Sequence, residues 1–331
     1  MDDVDPDIRT ASGIRYAVAL LFLFLVCLGA PPARASSDFA LVIGIGQYKS
    51  TEIPQLHYAY ADAKEMAAFL RDHSLFKREC IGLLLNSQAT RDAIKNKLIE
   101  LENRCSTSGP GGKVFIHFSG HAMRSDTSES ADIKKASGSQ AREFLIPFDG
   151  DPYDDYLTAD GGKANDTYIK KEWFAARLSE IQASDVTVII DACHSGIPDF
   201  AGLMKLYNST SSVGAGKKIA LMAASNIADV SFEFDELKHG ALSWAVLNVL
   251  YAQKESTPKG NKAEIDSDAL FGNVQSLFKT RAVSGKTLSF YHMPEIYYYP
   301  VSANSVVVGE VRGSGAIVKP TILSNLLFHP P

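Results

Sequence analysis

Residues 186–196 read VTVIIDACHSG, a stretch in which a largely apolar run leads directly into an acid and a cysteine. The run is rich in valine and isoleucine without regular polar alternation, which is typical of a strand buried on both faces of a parallel sheet. It ends at Asp191, and Cys193 follows. Since ligands bind beyond the carboxyl ends of such strands, Cys193 stands where a functional site is expected.

Short apolar runs of this kind alternate along the chain with segments of helical period. This order predicts an α/β fold, a doubly wound and mostly parallel sheet with helices on both faces. The segments that carry the pattern are FALVIGI (39–45), DAKEMAAFLRDH (62–73), IGLLL (81–85), TRDAIKNKLIELENR (90–104), VFIHF (114–118), KEWFAARLSEI (171–181), IALMAA (219–224), ALSWAVLNVLYAQK (241–254) and EIYYYPV (295–301).

The composition is that of a globular protein. The chain has 331 residues, of which 46% are hydrophobic and 21% charged, enough to bury one sizeable core. Its formal net charge is -5, and its lysines and arginines form no basic stripe. The sequence therefore argues against binding to DNA or RNA.

The N-terminus has the pattern of a signal peptide. Arg15 precedes the apolar run 17–30, and Ala33-Arg34-Ala35 is a small-residue cleavage pattern before Ser36. The run is too short to span a bilayer, so we predict a signal peptide at 1–35 and export to the periplasm or the medium. The acidic start MDDVDPDIRT is unusual for a signal peptide. It leaves open a later start codon or an uncleaved segment that anchors the protein to the membrane.

The cysteine count leaves one thiol without a partner. Removal of Cys27 with the signal peptide leaves Cys80, Cys105 and Cys193, an odd number in an oxidising compartment. A helix packed antiparallel on its strand would bring Cys80 and Cys105 together, which allows a disulfide. The alternative is a pair of inert buried thiols. In either case Cys193 is the candidate free thiol.

A second strand ends on chemically useful residues. The run VFIHF leads into Ser119-Gly120-His121, so a thiol and an imidazole face each other if this strand neighbours the one before Cys193. A thiolate is a nucleophile, and a nearby imidazole can stabilise it and protonate the leaving amine. Alone, Cys193 would read as a buried apolar residue and His121 as a turn histidine. The position of both after strand ends favours nucleophilic catalysis.

Strand alternation predicts the charge around the thiol. Side chains two apart on a strand lie on the same side, so Asp191 shares a side with Cys193 and Ser119 with His121. A carboxylate beside the nucleophile would attract a cation by about 4 kcal/mol at 4 Å and an effective dielectric of 20, before desolvation is subtracted. We therefore predict cleavage after an arginine or a lysine at the P1 position, the residue before the scissile bond.

The motifs HFSGHA and DACHSG, with ALVIGIGQY and YADAKEMAAFL before them, resemble the caspase-like cysteine peptidases, most closely the metacaspase branch. The resemblance covers 39–240 and weakens towards residue 300. It implies a caspase-like peptidase domain over 36–300, followed by a tail at 301–331 without an assigned role. It also implies a peptide or protein substrate, cleaved through a thioester with Cys193 as nucleophile and His121 as general acid and base.

The resemblance assigns further roles around the dyad. It implies an S1 pocket, which holds the P1 side chain, made by Asp62, Ser119 and Asp191. An acid such as Asp62 in the first turn of a helix is also explained by the helix dipole. The oxyanion hole would use the backbone N–H groups of Cys193 and Ala122, where the family typically has glycine. Alanine keeps the N–H but lacks the freedom of glycine at positive φ, which leaves open reduced activity or a site that has lost its activity.

Two alternatives stay open at the level of sequence. The first is a catalytically weak caspase-like scaffold that acts as a binding or signalling module, which the alanine at 122 and the tail would suit. The second is another α/β enzyme that uses Cys193 for acyl transfer. A pure scaffold has no need of both Cys193 and His121, so their presence favours the peptidase.

Weaker signals concern metals, cofactors and maturation. Some metacaspases require Ca²⁺, and six acids lie between residues 149 and 166, but their spacing is not that of an EF-hand and a solvated loop is favoured. We predict no required cofactor, with Ca²⁺ as a possible addition, and no metal ligands. On one strand, His117 and His121 would lie roughly 13 Å apart, too far to share a metal. The acids in the loop are Asp149, Asp151, Asp154, Asp155, Asp160 and Asp166.

Charged residues after the nucleophile carry two further hypotheses. Caspase-like enzymes are often cut in this region during maturation, which makes Lys205, Lys217 and Lys218 candidate cleavage sites; the alternative is ordinary surface lysines. Asp229 and Glu233 follow the run ALMAAS and either add negative charge to the pocket or only interact with solvent.

Overall fold

The computed structural model describes residues 38–73, 75–108, 111–125, 142–152, 167–193, 195, 217–225, 231, 233–280, 282–283, 286–287, 293–299 and 306–314. The predicted signal peptide at 1–35 lies outside these ranges, so cleavage and export stay predictions. Among the described residues, no helix has both the length and the apolar character needed to cross a membrane.

The strands and helices follow each other in the predicted alternation. The strands are β1 (Phe39–Gly44), β2 (Ile81–Leu85), β3 (Lys113–Ser119), β4 (Ala122–Ser125), β5 (Arg142–Leu145), β6 (Ile169–Lys170), β7 (Asp185–Asp191), β8 (Lys218–Ala223), β9 (Glu233–Phe234), β10 (His239–Gly240), β11 (Lys262–Asp266), β12 (Ala282–Val283), β13 (Lys286–Thr287), β14 (Glu295–Tyr299) and β15 (Val307–Arg312). The helices are α1 (Ala59–Asp72), α2 (Arg91–Ser108), α3 (Lys171–Glu180), α4 (Ala241–Ser256) and α5 (Ser267–Thr280).

Six strands form the central sheet, in the order β14-β8-β7-β3-β1-β2. The pairs β1–β2, β1–β3, β3–β7 and β7–β8 are parallel, and β14 adds to the edge of β8 in the antiparallel direction. The strand that carries the motif, β7, is buried along its whole length after Asp185. The predicted fold class, a doubly wound and mostly parallel α/β sheet, is confirmed.

The two faces of the sheet are covered by different helices. Alternate β1 residues point to opposite sides: Leu41 packs in the cluster that holds α2 and α3, while Val42 packs in the cluster that holds α1, α4 and α5. On β3, Phe115 lies on the second side, the same side as His117 and Ser119 by alternation. The polar ends of β3 and β7 therefore face α1 and α4.

Smaller sheets surround the central one. Strands β4, β5 and β6 form a three-stranded sheet just after β3, and β9 pairs with β10 in a hairpin directly before α4. Strand β15 pairs antiparallel with β11, so 307–312 packs on the domain although it belongs to the segment predicted as a tail. The boundary at residue 300 and the role of 301–331 remain predictions.

The Cys80–Cys105 disulfide that the sequence allows is not formed. Cys80 and Cys105 are both free thiols and both buried. Arg104 turns its side chain towards Cys80, with Nη2 3.9 Å from Sγ. Cys105 packs in the same core cluster as Cys80, and burial raises the pKa of its thiol to about 12. Of the two alternatives that the sequence left open, a disulfide or two buried thiols, the structure has the two buried thiols.

Candidate active site

The ends of β3 and β7 lie side by side. Ser119 and Asp191 are partners in the parallel register, and the N–H of Gly120 donates to the carbonyl of Asp191 at 3.2 Å. His121 and Cys193 each stand two residues beyond this pair. The sheet therefore brings both residues to the same edge, at the same level, as the sequence predicts.

Two hydrogen bonds hold His121, one from its ring and one from its backbone N–H. Its Nε2 lies 2.8 Å from the carbonyl oxygen of Pro54. A carbonyl can only accept, so Nε2 carries the proton and Nδ1 of the neutral ring has the lone pair. The backbone N–H donates to Oη of Tyr48 at 2.7 Å, and the two rings lie 5.2 Å apart. Burial lowers the pKa of His121, so the ring is a neutral base near pH 7.

Cys193 is half-buried and engaged by one residue. Its Sγ lies 3.5 Å from the carbonyl oxygen of Ser231, and the N–H of Ser231 donates to Sγ at 3.3 Å. Burial raises the pKa of Cys193, while the N–H of Ser231 acts in the opposite direction. The side chain of Cys193 is therefore a thiol at rest, and a base would be needed to make it a nucleophile.

Ala122 opens β4 without backbone strain. Asn86 and Lys238 are the non-glycine residues at positive φ among those described, so Ala122 does not need the freedom of glycine. The N–H of Ile146 donates to the carbonyl of His121, so the next pair along the ladder, Ala122 with Leu145, is of the non-hydrogen-bonded type. The N–H of Ala122 thus points away from β5, as an oxyanion donor requires.

Asp62 is fully buried in the first turn of α1, at 0% exposure. Its Oδ1 lies 2.6 Å from Nδ1 of His239, and its Oδ2 accepts from Ser119 Oγ at 3.0 Å and from the N–H of Gly240 at 3.1 Å. Burial raises the pKa of Asp62 to about 7, against the hydrogen bond from His239. Asp62 and Ser119, both assigned to S1 from the sequence, are thus in direct contact.

Asp191 lies beside Asp62. Its Oδ1 accepts from Ser231 Oγ at 3.0 Å, and its Oδ2 accepts from the N–H of Ser243 at 2.8 Å. Burial raises the pKa of Asp191. A Cβ added to Gly240 would lie 2.5 Å from Oδ2 of Asp191 and 3.1 Å from Oδ2 of Asp62. Both carboxylates therefore lie close to one glycine, and together they form a buried acidic cluster beneath the ends of β3 and β7.

Sequence reasoning missed the residues that hold these groups in place. Pro54 and Tyr48 come from the segment after β1, Ser231 from the segment after β8, and His239 and Ser243 from the turn into α4. The available signal was the polar pair His239-Gly240 directly before the apolar run of α4, where a helix begins.

Glu233 binds the N-terminus of α1. Its carboxylate accepts from the backbone N–H groups of His57, Tyr58 and Ala59, at 2.7, 2.8 and 3.0 Å. These groups are free donors at the N-terminus of α1, where an anion is also favoured by the helix dipole. The prediction that Glu233 adds negative charge to the pocket is supported, because its charge adds to burial in raising the pKa of Asp191. The alternative of a residue that only interacts with solvent is wrong. Asp229 lies outside the described residues.

The acids of the 149–166 loop show no metal site in the part that is described. Asp149 accepts from the backbone N–H of Arg91 at 2.7 Å, at the start of α2. Across the described ranges, no group of three or more histidine, cysteine or acidic residues is arranged to hold a metal. Asp154, Asp155, Asp160 and Asp166 lie outside those ranges, so the prediction of no required cofactor, with Ca²⁺ as a possible addition, stays a prediction.

Lys217 lies inside the fold. It is 7% exposed, and its Nζ donates to the carbonyls of Leu178 and Ser179 at the end of α3. Burial lowers the pKa of Lys217 to about 7. Lys218 is the first residue of β8. Neither residue is in an open loop, so the prediction of a cleavage site at 217 or 218 does not fit this fold. Lys205 lies outside the described residues.

Known proteins share this architecture. The family model of the caspase domain matches residues 37–300. Caspase-1 from Spodoptera frugiperda superposes with a TM-score of 0.50 at 12% identity, covering 85% of this chain and 92% of its own. A protein of Geobacter sulfurreducens superposes with a TM-score of 0.49 at 16% identity, covering 79% and 93%. No curated protein matches the sequence. The family match includes both His121 and Cys193.

Proposed function

This chain belongs to the caspase domain family, and from that premise we propose that it is a cysteine endopeptidase that cleaves after arginine or lysine. Cys193 is the nucleophile and His121 the general acid and base. The family membership supports a peptidase of the cysteine type. The choice of residues and of substrate rests on the geometry described above.

The mechanism follows from the protonation states. The Sγ–H proton of Cys193 passes to Nδ1 of His121 as sulfur attacks the carbonyl carbon of the substrate. The N–H groups of Cys193 and Ala122 bind the oxyanion, and the imidazolium then protonates the leaving amine. A thioester remains. Water, activated by the now neutral His121, hydrolyses it and regenerates the thiol.

The observation that carries the specificity is the meeting of Asp62 and Asp191 at Gly240. Two carboxylates in a buried site favour a cation, by about 4 kcal/mol for one pair at 4 Å and an effective dielectric of 20. Desolvation of the substrate cation offsets part of this gain. An acidic P1 side chain would meet repulsion from each of these carboxylates that is ionised. The pocket therefore favours arginine or lysine and excludes aspartate and glutamate.

A catalytically weak scaffold is the second candidate. The contact of Ser231 with Sγ favours it, because the backbone of Ser231 occupies both the donor and the acceptor capacity of the thiol. Such a protein would bind a peptide in the same acidic pocket without turnover. The peptidase is preferred because His121 presents its free nitrogen as a base, which binding does not require.

The deciding experiment uses fluorogenic peptides that end in Arg, Lys, Asp or Asn, with and without Ca²⁺. The peptidase predicts turnover of the Arg and Lys peptides and its loss in Cys193→Ala. The matched control is Cys80→Ala, which removes a thiol remote from the proposed site and should keep turnover. Cleavage only after Asp would contradict the pocket. Arginine-peptide binding without turnover would establish the scaffold.

We also propose that the protein is exported after cleavage before Ser36. The support is the Ala33-Arg34-Ala35 pattern that follows the apolar run. N-terminal sequencing of the protein from its native host should begin at Ser36. A chain that retains residues 1–35 and sediments with membranes would contradict cleavage and favour an anchor.

A further inference from the structure

His239 contacts the buried acidic cluster of Asp62 and Asp191. Its Nδ1 lies 2.6 Å from Oδ1 of Asp62, and its Nε2 lies 3.5 Å from Oε2 of Glu65, one turn further along α1. The side chain is 8% exposed. Gly240, the next residue, donates its N–H to the other oxygen of Asp62. Strand β10 therefore supplies both an imidazole and a backbone donor to one carboxylate.

Acidic groups face this imidazole from two elements. Asp62 and Glu65 face it from α1, and Asp191 faces it from the end of β7. Helix α4, which also packs against β10, contributes the uncharged Ser243 through its bond to Asp191. Lys238, just before His239, directs its Nζ towards Oη of Tyr58, at 3.5 Å.

These neighbours set the direction of titration. Burial works against the imidazolium, but the hydrogen bond to Asp62 and the charges of Asp62, Glu65 and Asp191 together raise the pKa of His239. The pKa of Asp62 is raised as well, to about 7. The two groups share protons and titrate as a unit. With one proton the unit is neutral whichever residue holds it, and without that proton its charge is -1.

The charge of the Asp62–His239 unit would act on the cationic P1 side chain of the substrate. We propose that His239 is a specificity-determining residue of the pocket: its proton and the P1 cation act on the same carboxylate, Asp62, so each weakens the other. The proposal rests on the proposed function, because it takes the basic P1 side chain as the ligand. The pocket would then select arginine more strongly as the pH rises and the unit loses its proton.

Thermodynamic linkage makes the effect reciprocal. If loss of the proton strengthens binding of the cation, then binding of the cation must lower the pKa of the unit by the same free energy. We expect about one pKa unit, which is a tenfold change in affinity. A peptide with citrulline in place of arginine has the same shape without the charge. It should leave the titration unchanged.

The test uses Cys193→Ala protein, so that the peptides bind without being cleaved. Affinities of an arginine peptide and its citrulline counterpart are measured by calorimetry from pH 5.5 to 8.5. In parallel, the side-chain ¹³C signals of labelled histidine are followed by NMR. His239→Asn identifies the signal of His239, since asparagine keeps a donor for Asp62 but does not titrate. His73, at the far end of α1, is the internal control.

The expected result is an arginine affinity that rises about tenfold with pH, a citrulline affinity that stays level, and a lower pKa for His239 only in the arginine complex. An unchanged His239 titration in the arginine complex would overturn the proposal, even if wild-type protein cleaves after arginine. Failure of both peptides to bind at any pH would overturn the basic pocket and this inference together. An equal shift of His73 would show a general effect and also count against it.

Discussion

Ser243 holds Asp191 from the first turn of α4, with its backbone N–H donating to Oδ2 at 2.8 Å. Its Oγ lies 3.0 Å from Nε2 of His117. All three side chains are buried, so this chain of hydrogen bonds lies away from water. It ties β3, β7 and α4 together directly beneath the pocket, and it explains why a polar histidine can stand in the middle of β3.

Ser243→Ala should weaken both the pocket and the fold. The change removes the hydroxyl of Ser243, which bonds to Asp191 and to Nε2 of His117, but keeps the backbone N–H bond to Asp191. We expect a loss of about 1–3 kcal/mol in the free energy of unfolding. Urea denaturation measures this loss, and KM for an arginine peptide should rise. Ser256→Ala at the exposed end of the same helix should change neither. Equal effects of the two variants would contradict the assigned role of Ser243.

Gly240→Ala should be far more damaging than Gly272→Ala. The new Cβ would lie 2.5 Å from Oδ2 of Asp191, so the carboxylate or β10 has to move. We expect loss of arginine-peptide turnover and lower stability. At Gly272 in α5 a Cβ has no neighbour within 4 Å, so Gly272→Ala should stabilise by roughly 0.5–1 kcal/mol. Thermal unfolding of both variants checks the contrast; retained activity in Gly240→Ala would exclude the close approach.

His117 should make the protein less stable in acid. Burial lowers the pKa of His117 to about 3, from 6.5. Because its folded pKa is depressed, the unfolded chain takes up the proton first as the pH falls below 6.5. Stability is lost at about 1.4 kcal/mol per pH unit towards pH 3. The difference in unfolding free energy between wild type and His117→Gln should show this slope. Parallel curves would show that His117 is not buried as described.

Maturation should leave the chain intact at Lys217 and Lys218. The first is anchored to the end of α3, and the second begins the buried strand β8. A protease needs an extended, accessible segment, so neither bond should be cut in the folded protein. Limited trypsin digestion with mass spectrometry should find both sites cleaved only after denaturation. New N-termini at residue 218 or 219 in native, active protein would contradict this.

Much of the sheet could be predicted because its strands are uninterrupted apolar runs in the sequence. The run at 39–45 became β1 and VTVII became β7, and alternation alone placed Asp191 on the side of Cys193. The antiparallel direction of β14 could not be predicted, since a run such as EIYYYPV carries no sign of its direction. Its pairing with β8 depends on the path of the chain after α5.

The site was predictable only where it lies at the ends of strands. Ser119 and Asp191 follow from strand alternation, and Asp62 from the family resemblance. Its partner His239 lies 177 residues away along the chain, and nothing in the local sequence links the two. Contacts of this kind depend on how α1 and α4 pack on one face of the sheet. The buried position of Lys217 was missed for the same reason.

The central claim is that Cys193 and His121 act together on a peptide held by an acidic pocket. The most direct test is a peptidyl-arginine acyloxymethyl ketone, a thiol trap that needs both the pocket and an activated sulfur, with the labelled residue located by tryptic mass spectrometry. We predict label on Cys193 in the wild type, much slower labelling in His121→Ala, and little with the matching aspartyl trap. Label on Cys80 or Cys105 instead, or labelling of Cys193 at the same rate without His121, would contradict the account.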